Sequence, residues 1–323
     1  TLFHWLNETH TAMGSRMLRH LISHPLCDAH ELNRRYDYIE ALKPFGPREE
    51  LIAYLKEIYD MNRIIGRISF DTVNGRDLIQ LKNSLAHIPK LKACLKQFHH
   101  PLTDDLSDHM DAHATLYQTL DQALYPDPPI SIKEGNLIKE GYHRALDALK
   151  QVGTTGETWL EDFEQKEREK TGIKNLRVGY NRVFGYYIEV SKGNASLVKE
   201  EYGYDRKQTL ANSERFITPE LKRKEDDILH AKDKSIQLEY DLFLDIRENV
   251  KRYIYSLQVL SKEIATIDVY LSLALVSEKY HYIRPTFSTD QTVKVIAGRH
   301  PMVEHFTTFV KNDVVMNQGE IFL

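Results

Sequence analysis

The sequence contains only two cysteines, Cys27 and Cys94, which lie far apart and have no Cys-x-x-Cys partner. This scarcity argues against both a disulfide framework and a cysteine-based zinc site. Long hydrophobic runs are also missing, since no stretch approaches the roughly 20 apolar residues that a membrane span requires. The N-terminus TLFHWLNETH lacks the basic and apolar regions of a secretory signal. Together these absences predict an intracellular protein without a membrane partner.

Glycine-lysine pairs are absent as well, because none of the 15 glycines is followed by lysine. A Walker A phosphate loop needs that pair before its Ser or Thr, so the motif cannot be written anywhere in this chain. Without that lysine and hydroxyl, the chain lacks the usual means of positioning a nucleotide and Mg²⁺ for hydrolysis. The sequence therefore predicts no ATPase activity, no catalytic residue and no cofactor for these 323 residues.

The overall charge is slightly negative, with a formal net charge of −4 and 28% charged residues. An acidic balance argues against a protein that binds nucleic acid over its whole surface, because affinity for phosphate needs clustered Lys and Arg. A local basic patch is still compatible with it. The 41% of hydrophobic residues is enough for a core, and the length predicts about two domains.

Helical periodicity covers most of the first half of the chain. The predicted helical segments before Tyr125-Pro-Asp-Pro-Pro129 are 1–43, 49–65, 76–98 and 102–124.

After that proline-rich stop, an apolar helical stripe runs over 137–152, and Gly153-Thr-Thr-Gly156 predicts an interruption before the helix resumes at Trp159. Residues 164–172 (EQKEREKTG) are polar on every side. This pattern predicts a helix that has left its core and crosses solvent.

A second long helix is predicted after Thr218-Pro219-Glu220, which has the features of a helix N-terminus. Apolar residues recur at helical spacing from Ile228 to Leu275. With roughly 60 residues free of Pro and Gly, a continuous helix would be on the order of 90 Å long. Beyond it, Val293 to Ile296 predict a strand, and the terminal GEIFL predicts the start of another.

The segment between the two long helices has a β pattern instead. Asn181 to Gly185 predict a turn, Arg206 to Thr209 a third short strand, and the helix is predicted to resume near Asn212. Tyr180, Phe184 and Tyr186 are expected to belong to the core of this segment more often than to a base-stacking surface, and the opposite face of the strands is free to meet a partner. The alternation that predicts strands places Val178, Tyr180, Phe184, Tyr186, Ile188 and Val190 on one face and Arg177, Asn181, Tyr187, Glu189 and Ser191 on the other.

The same segment is locally basic. Residues 174–224 contain eleven Lys and Arg against six Asp and Glu, a net charge of +5, which leaves −9 for the rest of the chain. Cations interspersed with amides and hydroxyls are the mixture that contacts phosphate and sugar. The alternative is a small solvated β cap whose charges have no partner, since runs of charge are usually only hydrated surface.

Four motifs carry a resemblance to the MutS family, the DNA mismatch-recognition ATPases, and they occur in the family's order. They are TAMGSRMLRHLISHPL at 11–26, EREKTGIKNLRVGYNRVFGYYIEVSKGN at 167–194, RKQTLANSERFITPELKRKE at 206–225 and GRHPMVE at 298–304.

The resemblance implies a mainly α fold, in which a multi-helical core and lever domain carries a small antiparallel β clamp domain inserted between two long helices. It divides the chain into a first helical part (1–172), the clamp (173–215), the helical return (216–288) and the truncated start of a C-terminal ATPase domain (289–323).

The resemblance also implies a function: the clamp would hold the backbone of double-stranded DNA without sequence specificity, as part of DNA mismatch repair. The expected partners are duplex DNA, a second MutS subunit and downstream repair proteins, in a cytoplasmic, nucleoid-associated bacterial protein. The residues predicted to contact DNA are Asn181, Arg182, Lys192, Arg206, Lys207, Gln208, Thr209 and Asn212.

Two features of the full family have no counterpart in these residues. The mismatch-reading domain with its Phe-x-Glu motif is expected before Thr1, and the ATP- and Mg²⁺-binding domain is expected after Leu323. ATP binding in the longer parent would then be transmitted through the long helices to the clamp.

Two other interpretations compete with a DNA clamp. His109 and His113 could bind a metal if they occupied one helical face, but no His-Glu-x-x-His pattern accompanies them, so a solvated helix is favoured and no metal site is predicted. The long helices could also form a structural spacer whose tip binds protein, although the stripe from Ile228 to Leu275 lacks a sustained heptad pattern.

Overall fold

The structure is a computed structural model that describes residues 1–181, 183–289, 292–304, 306–317 and 319, with only the backbone of Glu157 described. Its contacts divide the chain into two units. The first, here the helical unit, contains residues 1–73, 77–120 and 249–323, and the second, the arm unit, contains 74–76 and 121–248.

The described residues are mostly helical and include one four-stranded antiparallel sheet, so the predicted mainly α class is confirmed. The domain boundaries at 172, 215 and 288, which the resemblance implies, stay predictions. The helices are α1 (Leu2–Leu6), α2 (Ala12–Ser23), α3 (Ala29–Ala41), α4 (Phe45–Lys56), α5 (Met61–Ser69), α6 (Gly75–Lys96), α7 (Pro101–His109), α8 (Ala114–Ala123), α9 (Arg144–Thr171), α10 (Pro219–Lys251), α11 (Ile254–Lys279) and α12 (Pro301–Glu304).

Helix α11 is the centre of the helical unit, and it packs against α1 to α5. Its fully buried Asp268 accepts hydrogen bonds from the backbone N–H groups of His10 and Thr11, each at 2.8 Å, and from the Thr11 hydroxyl at 2.7 Å. A side chain at Gly14 would overlap the same carboxylate. The start of α2 is thus fixed to α11 by a carboxylate at a helix N-terminus, where negative charge is favourable.

The long helix predicted after Thr218 is not continuous. Thr218 does cap its start, since the Thr218 hydroxyl accepts a hydrogen bond from the N–H of Leu221 at 3.1 Å. However, α10 ends at Lys251 and α11 begins at Ile254. The N–H groups of Arg252 and Tyr253 bond to carbonyls three residues earlier, which tightens the backbone at the break. No Gly or Pro marks this break in the sequence.

In the arm unit, α9 runs without interruption through Gly153-Thr-Thr-Gly156, contrary to the prediction. Gly156 is buried, and a Cβ atom there would overlap the side chain of Ile228 on α10. The glycine is therefore a contact point between two helices and not a helix breaker.

The start of the apolar stripe at 137–152 is also not helical. Leu137 and Ile138 precede α9, and their N–H groups donate to the buried carboxylate of Glu239 on α10. Lys150 on α9 pairs with the same carboxylate at 2.8 Å. Their hydrophobicity agrees with the burial of Leu137 and Ile138, but their backbone conformation depends on Glu239, about 100 residues away in the sequence.

The four-stranded sheet lies between α9 and α10 in the chain. Its strands are β1 (Arg177–Asn181), β2 (Gly185–Ser191), β3 (Asp205–Thr209) and β4 (Ser213–Ile217), in the order β1-β2-β4-β3. Two short 3₁₀ segments, Lys192–Leu197 and Glu200–Tyr202, connect β2 to β3. The predicted strands are confirmed, but the chain forms β4 after Asn212 where a helix was predicted.

At the C-terminal end of the described chain, β5 (Val293–Gly298) and β6 (Asn312–Met316) form an antiparallel pair. The strand predicted at Val293 is thus confirmed. The strand predicted over GEIFL falls, except for Gly319, outside the described residues.

Candidate nucleic-acid interface

The sheet packs one face against the arm helices α9 and α10. The strand register places Ile188 opposite Val178 on β1 and opposite Phe216 on β4, so these three side chains lie on the same face. The cluster that this face buries consists of Phe163, Ile173, Leu176, Ile188, Val190, Phe216 and Leu221. Because Phe163 of α9 and Leu221 of α10 belong to this cluster, the sheet is packed directly against both helices.

Polar side chains of α9 bind the sheet directly. Glu164 accepts a hydrogen bond from the N–H of Val178 at 2.6 Å, and Arg168 donates to the carbonyl of Leu176 at 2.8 Å. The later residue of the sheet segment, Val178, thus contacts the earlier residue of the helix, Glu164. The start of β1 and the end of α9 therefore run antiparallel to each other. The polar side chains of 164–172 were predicted to cross solvent, but some of them hydrogen-bond the sheet backbone instead.

The β1–β2 hairpin is the end of the sheet that lies along α10. Asn181 pairs with Gly185, as the predicted turn requires, and its amide oxygen accepts hydrogen bonds from the N–H groups of Val183 (3.0 Å) and Phe184 (2.8 Å). Glu225 of α10 accepts one from the N–H of Tyr186 at 3.0 Å. The oxygen of Asn181 therefore serves the turn. Arg182, also predicted to contact DNA, lies outside the described residues.

The opposite end of the sheet, here the loop end, is formed by Lys192–Asn194 and Leu210–Asn212. The N–H of Lys192 donates to the carbonyl of Asn212 at 2.9 Å, and Leu210 and Ser213 close the β3–β4 turn. The side chains of Lys192 and Asn212 are exposed here, and so is that of Thr209, the last residue of β3, which we include in the loop end. Six residue steps of β2 separate this end from the hairpin, a distance of about 20 Å.

The loop end is fixed by its own polar contacts. Asn194 donates from its amide to Asn175 at 2.8 Å, and Asn175 donates in turn to the hydroxyl of Ser191 at 2.7 Å. These bonds connect the start of the β2–β3 loop to the residues before β1. The backbone that presents Lys192 is therefore ordered by neighbouring side chains.

Two predicted cations on the edge strand β3 are paired with carboxylates. Arg206 contacts Glu214 at 3.1 Å and Lys207 contacts Asp205 at 2.5 Å. Both cations still face solvent, with 59% and 37% of their side chains exposed. The pair of Lys207 with Asp205 is exposed on both sides and therefore weak, so a phosphate can compete for Lys207, whereas Glu214 is buried and needs Arg206 as its partner.

Gln208 and Arg215 belong to the outer face of the sheet, away from the arms. Arg215 donates to Gln208 at 2.9 Å and to Glu189 at 2.9 Å, and its guanidinium lies 4.3 Å from the ring centre of Tyr187. Arg215 was not among the predicted contacts. The pairing of β4 with β2 and β3 brings these groups together. Their contact could not be predicted from the sequence because the register of the strands was not known.

The aromatic residues are distributed differently from the prediction. Tyr180 was expected in the core but is 48% exposed, and its ring lies 5.1 Å from that of the partly buried Tyr186. Tyr187, expected on the free face, is only 8% exposed because Arg215 covers it and its ring lies against Gly179. Burial on this sheet therefore does not follow the strand alternation alone.

The electrostatic character of the sheet region comes from its unpaired cations. Among the residues that the structure describes, Lys174, Arg177 and Lys192 are exposed and have no carboxylate within 4.0 Å. The structure thus brings Lys192, Thr209 and Asn212 together at the loop end and places Asn181 at the other end.

The competing metal site would need one helix that carries both His109 and His113, and the structure has no such helix over these described residues. Helix α7 ends at His109, and His113 has a left-handed backbone with φ of 49° and a buried side chain. The two imidazoles therefore do not share a helical face.

Comparison with known proteins places the chain in the MutS family. The sequence model of a family described as MutS domain III matches residues 1–274. Proteins named DNA mismatch repair protein MutS are similar over nearly the whole chain: 50% identity in Acholeplasma laidlawii over 100% of this chain, 49% in Geobacillus kaustophilus over 97%, and 46% in Listeria monocytogenes over 100%. The chain spans 38%, 35% and 38% of those relatives. Within the described residues, no helix is long and apolar enough to cross a membrane.

Proposed function

Because the chain belongs to the MutS family, we propose that it acts in DNA mismatch repair by holding duplex DNA at the loop end of its sheet. The arms α9 and α10 support the sheet, and the sheet presents Lys192, Thr209 and Asn212. These groups contact phosphate and sugar, so the grip does not depend on base sequence.

The observation that carries the proposal is the combination of groups at the loop end. Lys192 is an exposed cation that no described carboxylate within 4.0 Å neutralises, and its backbone is bonded to that of Asn212. A cation beside an exposed amide and a hydroxyl, on a backbone fixed in advance, suits a phosphate group. Lys207 on the neighbouring edge strand adds positive charge once phosphate replaces the exposed Asp205, while Arg206, which is itself exposed, keeps its pair with the buried Glu214.

The hairpin residues contribute less in this proposal than the sequence suggested. The amide oxygen of Asn181 is occupied by the turn, and Asn181 lies about 20 Å from the loop end. Asn181 therefore orients the hairpin, and the phosphate contacts concentrate at Lys192 and Asn212.

A binding titration at several salt concentrations tests the proposal. A short fluorescein-labelled duplex is titrated with the protein between about 50 and 200 mM salt, for the wild type, Lys192→Ala and the control Lys234→Ala. Lys234 is an exposed lysine on α10. Lys192→Ala is expected to weaken binding and to lower the salt slope by roughly 0.9, the value for one phosphate contact.

The contrary result would favour the structural spacer. In that alternative, the carboxylates that pair with Arg206, Lys207 and Arg215 remain their partners, and these cations do not bind phosphate. If Lys192→Ala and Lys234→Ala have the same effect, the loop end is not the site of contact. If the wild type binds DNA without salt dependence, or binds none, the clamp function is wrong.

The longer relatives suggest that DNA binding and nucleotide binding are carried out by different parts of the full-length protein. We infer that ATP and Mg²⁺ act in a part of the full-length protein other than these residues, because the chain contains no Gly-Lys pair for a Walker A motif. Purified chain is expected to release no phosphate from ATP above background. A second subunit, downstream repair proteins and a cytoplasmic, nucleoid-associated location remain predictions of the resemblance.

A further inference from the structure

The loop between β2 and β3, residues 192–204, has little structure that would hold it in place. Its two 3₁₀ segments contain no buried residue, and short helices of this kind are individually weak. The loop begins with Lys192, the cation on which phosphate binding depends. Asn194 and the carbonyl of Asn212 hold this first part of the loop, so its far end needs an attachment of its own.

The far end of the loop is attached to α9 through Tyr204. The Tyr204 hydroxyl donates a hydrogen bond to a carboxylate oxygen of Glu167, and its ring lies 5.9 Å from that of Phe216 in the sheet core. Val198 and Tyr204 both pack against the core cluster of the sheet. Tyr204 thus joins the loop, the sheet core and the helix in one contact.

Glu167 is a buried carboxylate, with only 7% of the residue exposed. A buried charge is costly unless polar groups satisfy it. Besides the hydroxyl of Tyr204, Glu167 has one charged partner among the described residues, Lys170 at 3.3 Å. The hydroxyl is therefore a substantial part of what stabilises this carboxylate.

Lys170 closes the arrangement from the solvent side. Its ammonium group lies 5.7 Å from the ring centres of both Tyr202 and Tyr204. Burial, followed by the hydrogen bond to Glu167, raises the pKa of Tyr204 above its usual value. The phenol consequently keeps its proton, and its role as donor, throughout the neutral pH range.

We propose that the hydrogen bond between Tyr204 and Glu167 is a clasp that holds the far end of the 192–204 loop against α9 and, together with the contacts of Asn194 and Asn212 at its start, positions Lys192 for a DNA phosphate. This role rests on the proposed function, and it makes Tyr204 a positioning residue that does not touch DNA. A loop ordered before binding loses less conformational entropy when DNA arrives. The clasp therefore increases affinity without adding a phosphate contact.

The test combines hydrogen exchange with DNA binding for Tyr204→Phe. Phenylalanine keeps the ring against Phe216 and removes only the donor. Exchange of the backbone amides in 192–204 is expected to accelerate about 10- to 100-fold, and DNA affinity to fall by up to a similar factor, as for the loss of one hydrogen bond to a charged group. The salt slope is expected to stay at the wild-type value, because no phosphate contact is lost.

Three further single variants and one double variant separate positioning from general destabilisation. Tyr202→Phe removes a neighbouring hydroxyl that takes no part in the clasp, and it is expected to behave as wild type. Glu167→Gln retains an acceptor for Tyr204 and is expected to keep most of the affinity, whereas Glu167→Leu is expected to match Tyr204→Phe. Combining Tyr204→Phe with Glu167→Leu should give less than the sum of their separate effects.

The exchange experiment needs no DNA. It therefore tests whether the Tyr204–Glu167 hydrogen bond orders the loop even if the proposed function is wrong. Unchanged exchange of 192–204 in Tyr204→Phe would overturn the clasp. Faster exchange with unchanged DNA affinity would overturn its positioning role while leaving DNA binding intact. A lower unfolding midpoint with wild-type affinity would reduce Tyr204 to a structural residue and overturn the proposal as well.

Discussion

The carboxylate of Glu225 on α10 occupies the space beside Gly185 that a side chain at residue 185 would need. Gly185 also has a left-handed backbone, with φ of +75°, and its neighbour Tyr186 donates its N–H to Glu225 at 3.0 Å. The β1–β2 hairpin thus approaches the arm helix so closely that only glycine fits. The position of the hairpin depends on the size of one residue.

Gly185→Ala is therefore expected to destabilise the protein by about 2–4 kcal/mol, because it adds left-handed backbone strain to overlap with a buried carboxylate. Urea unfolding measures the loss. Gly193→Ala is the matched control, since residue 193 is exposed and nothing lies within 4 Å of the position that a Cβ atom would take there. Equal effects of the two substitutions would contradict the close contact with Glu225.

A pair of glycines in α9 gives opposite expectations for the same substitution. Gly153→Ala is expected to stabilise the protein by up to about 1 kcal/mol, since alanine is the better helix former and the space is open. Gly156→Ala is expected to destabilise it by about 1–3 kcal/mol, because the methyl group would overlap Ile228. Thermal or urea unfolding of both variants checks the prediction, and stabilisation by Gly156→Ala would show that α9 and α10 are not in contact there.

The ion pair between Arg16 and Asp60 predicts a dependence of stability on pH. Arg16 donates two hydrogen bonds to Asp60, at 2.8 and 2.7 Å, and this bonding lowers the pKa of Asp60. Since the folded pKa lies below the unfolded value of about 3.9, the stabilisation is fully present above that value. It is lost as the pH falls through the lower, folded pKa.

Arg16→Gln should therefore reduce the urea midpoint at neutral pH, and its difference from wild type should shrink below about pH 4. Arg19→Gln is the control on the same helix, because Arg19 lies over the ring of Phe3 at 4.4 Å. Its effect should not vary with pH in this range. A deficit for Arg16→Gln that is the same at acid and neutral pH would contradict the role of the Asp60 carboxylate.

Local patterns in the sequence predicted the elements that depend on local interactions. Alternation around Ile188 predicted strands, and Thr218-Pro219 predicted the start of α10. The failures have non-local causes. Gly153 to Gly156 were interpreted as a break because the contact of Gly156 with Ile228 cannot be known from one helix alone. The break at Arg252–Tyr253 has no Gly or Pro to announce it.

The candidate site was predictable as a segment but not as a geometry. The net charge of 174–224 identified the region, and composition suggested its chemistry. Register and partners then separate the candidates: Lys192 and Asn212 meet at the loop end, whereas Asn181 serves the hairpin. The polar run 164–172 was misinterpreted because the partner of Glu164 is in the sheet and that of Glu167 is in the loop between β2 and β3.

Site-specific crosslinking tests most directly whether the loop end contacts DNA. In a Cys27→Ser background, a photoactivatable group is attached to Gly193→Cys at the loop end or to Val183→Cys at the hairpin, where Val183 is 81% exposed. Cys94 is buried, and burial raises its pKa to about 12, so it should not be labelled.

The ends of the sheet are about 20 Å apart, so a short crosslinker distinguishes them. Residue 193 is expected to crosslink to duplex DNA several-fold more efficiently than residue 183, with yields that fall as salt rises. Equal yields from both positions, or a higher yield from residue 183, would contradict the proposed grip at Lys192 and Asn212.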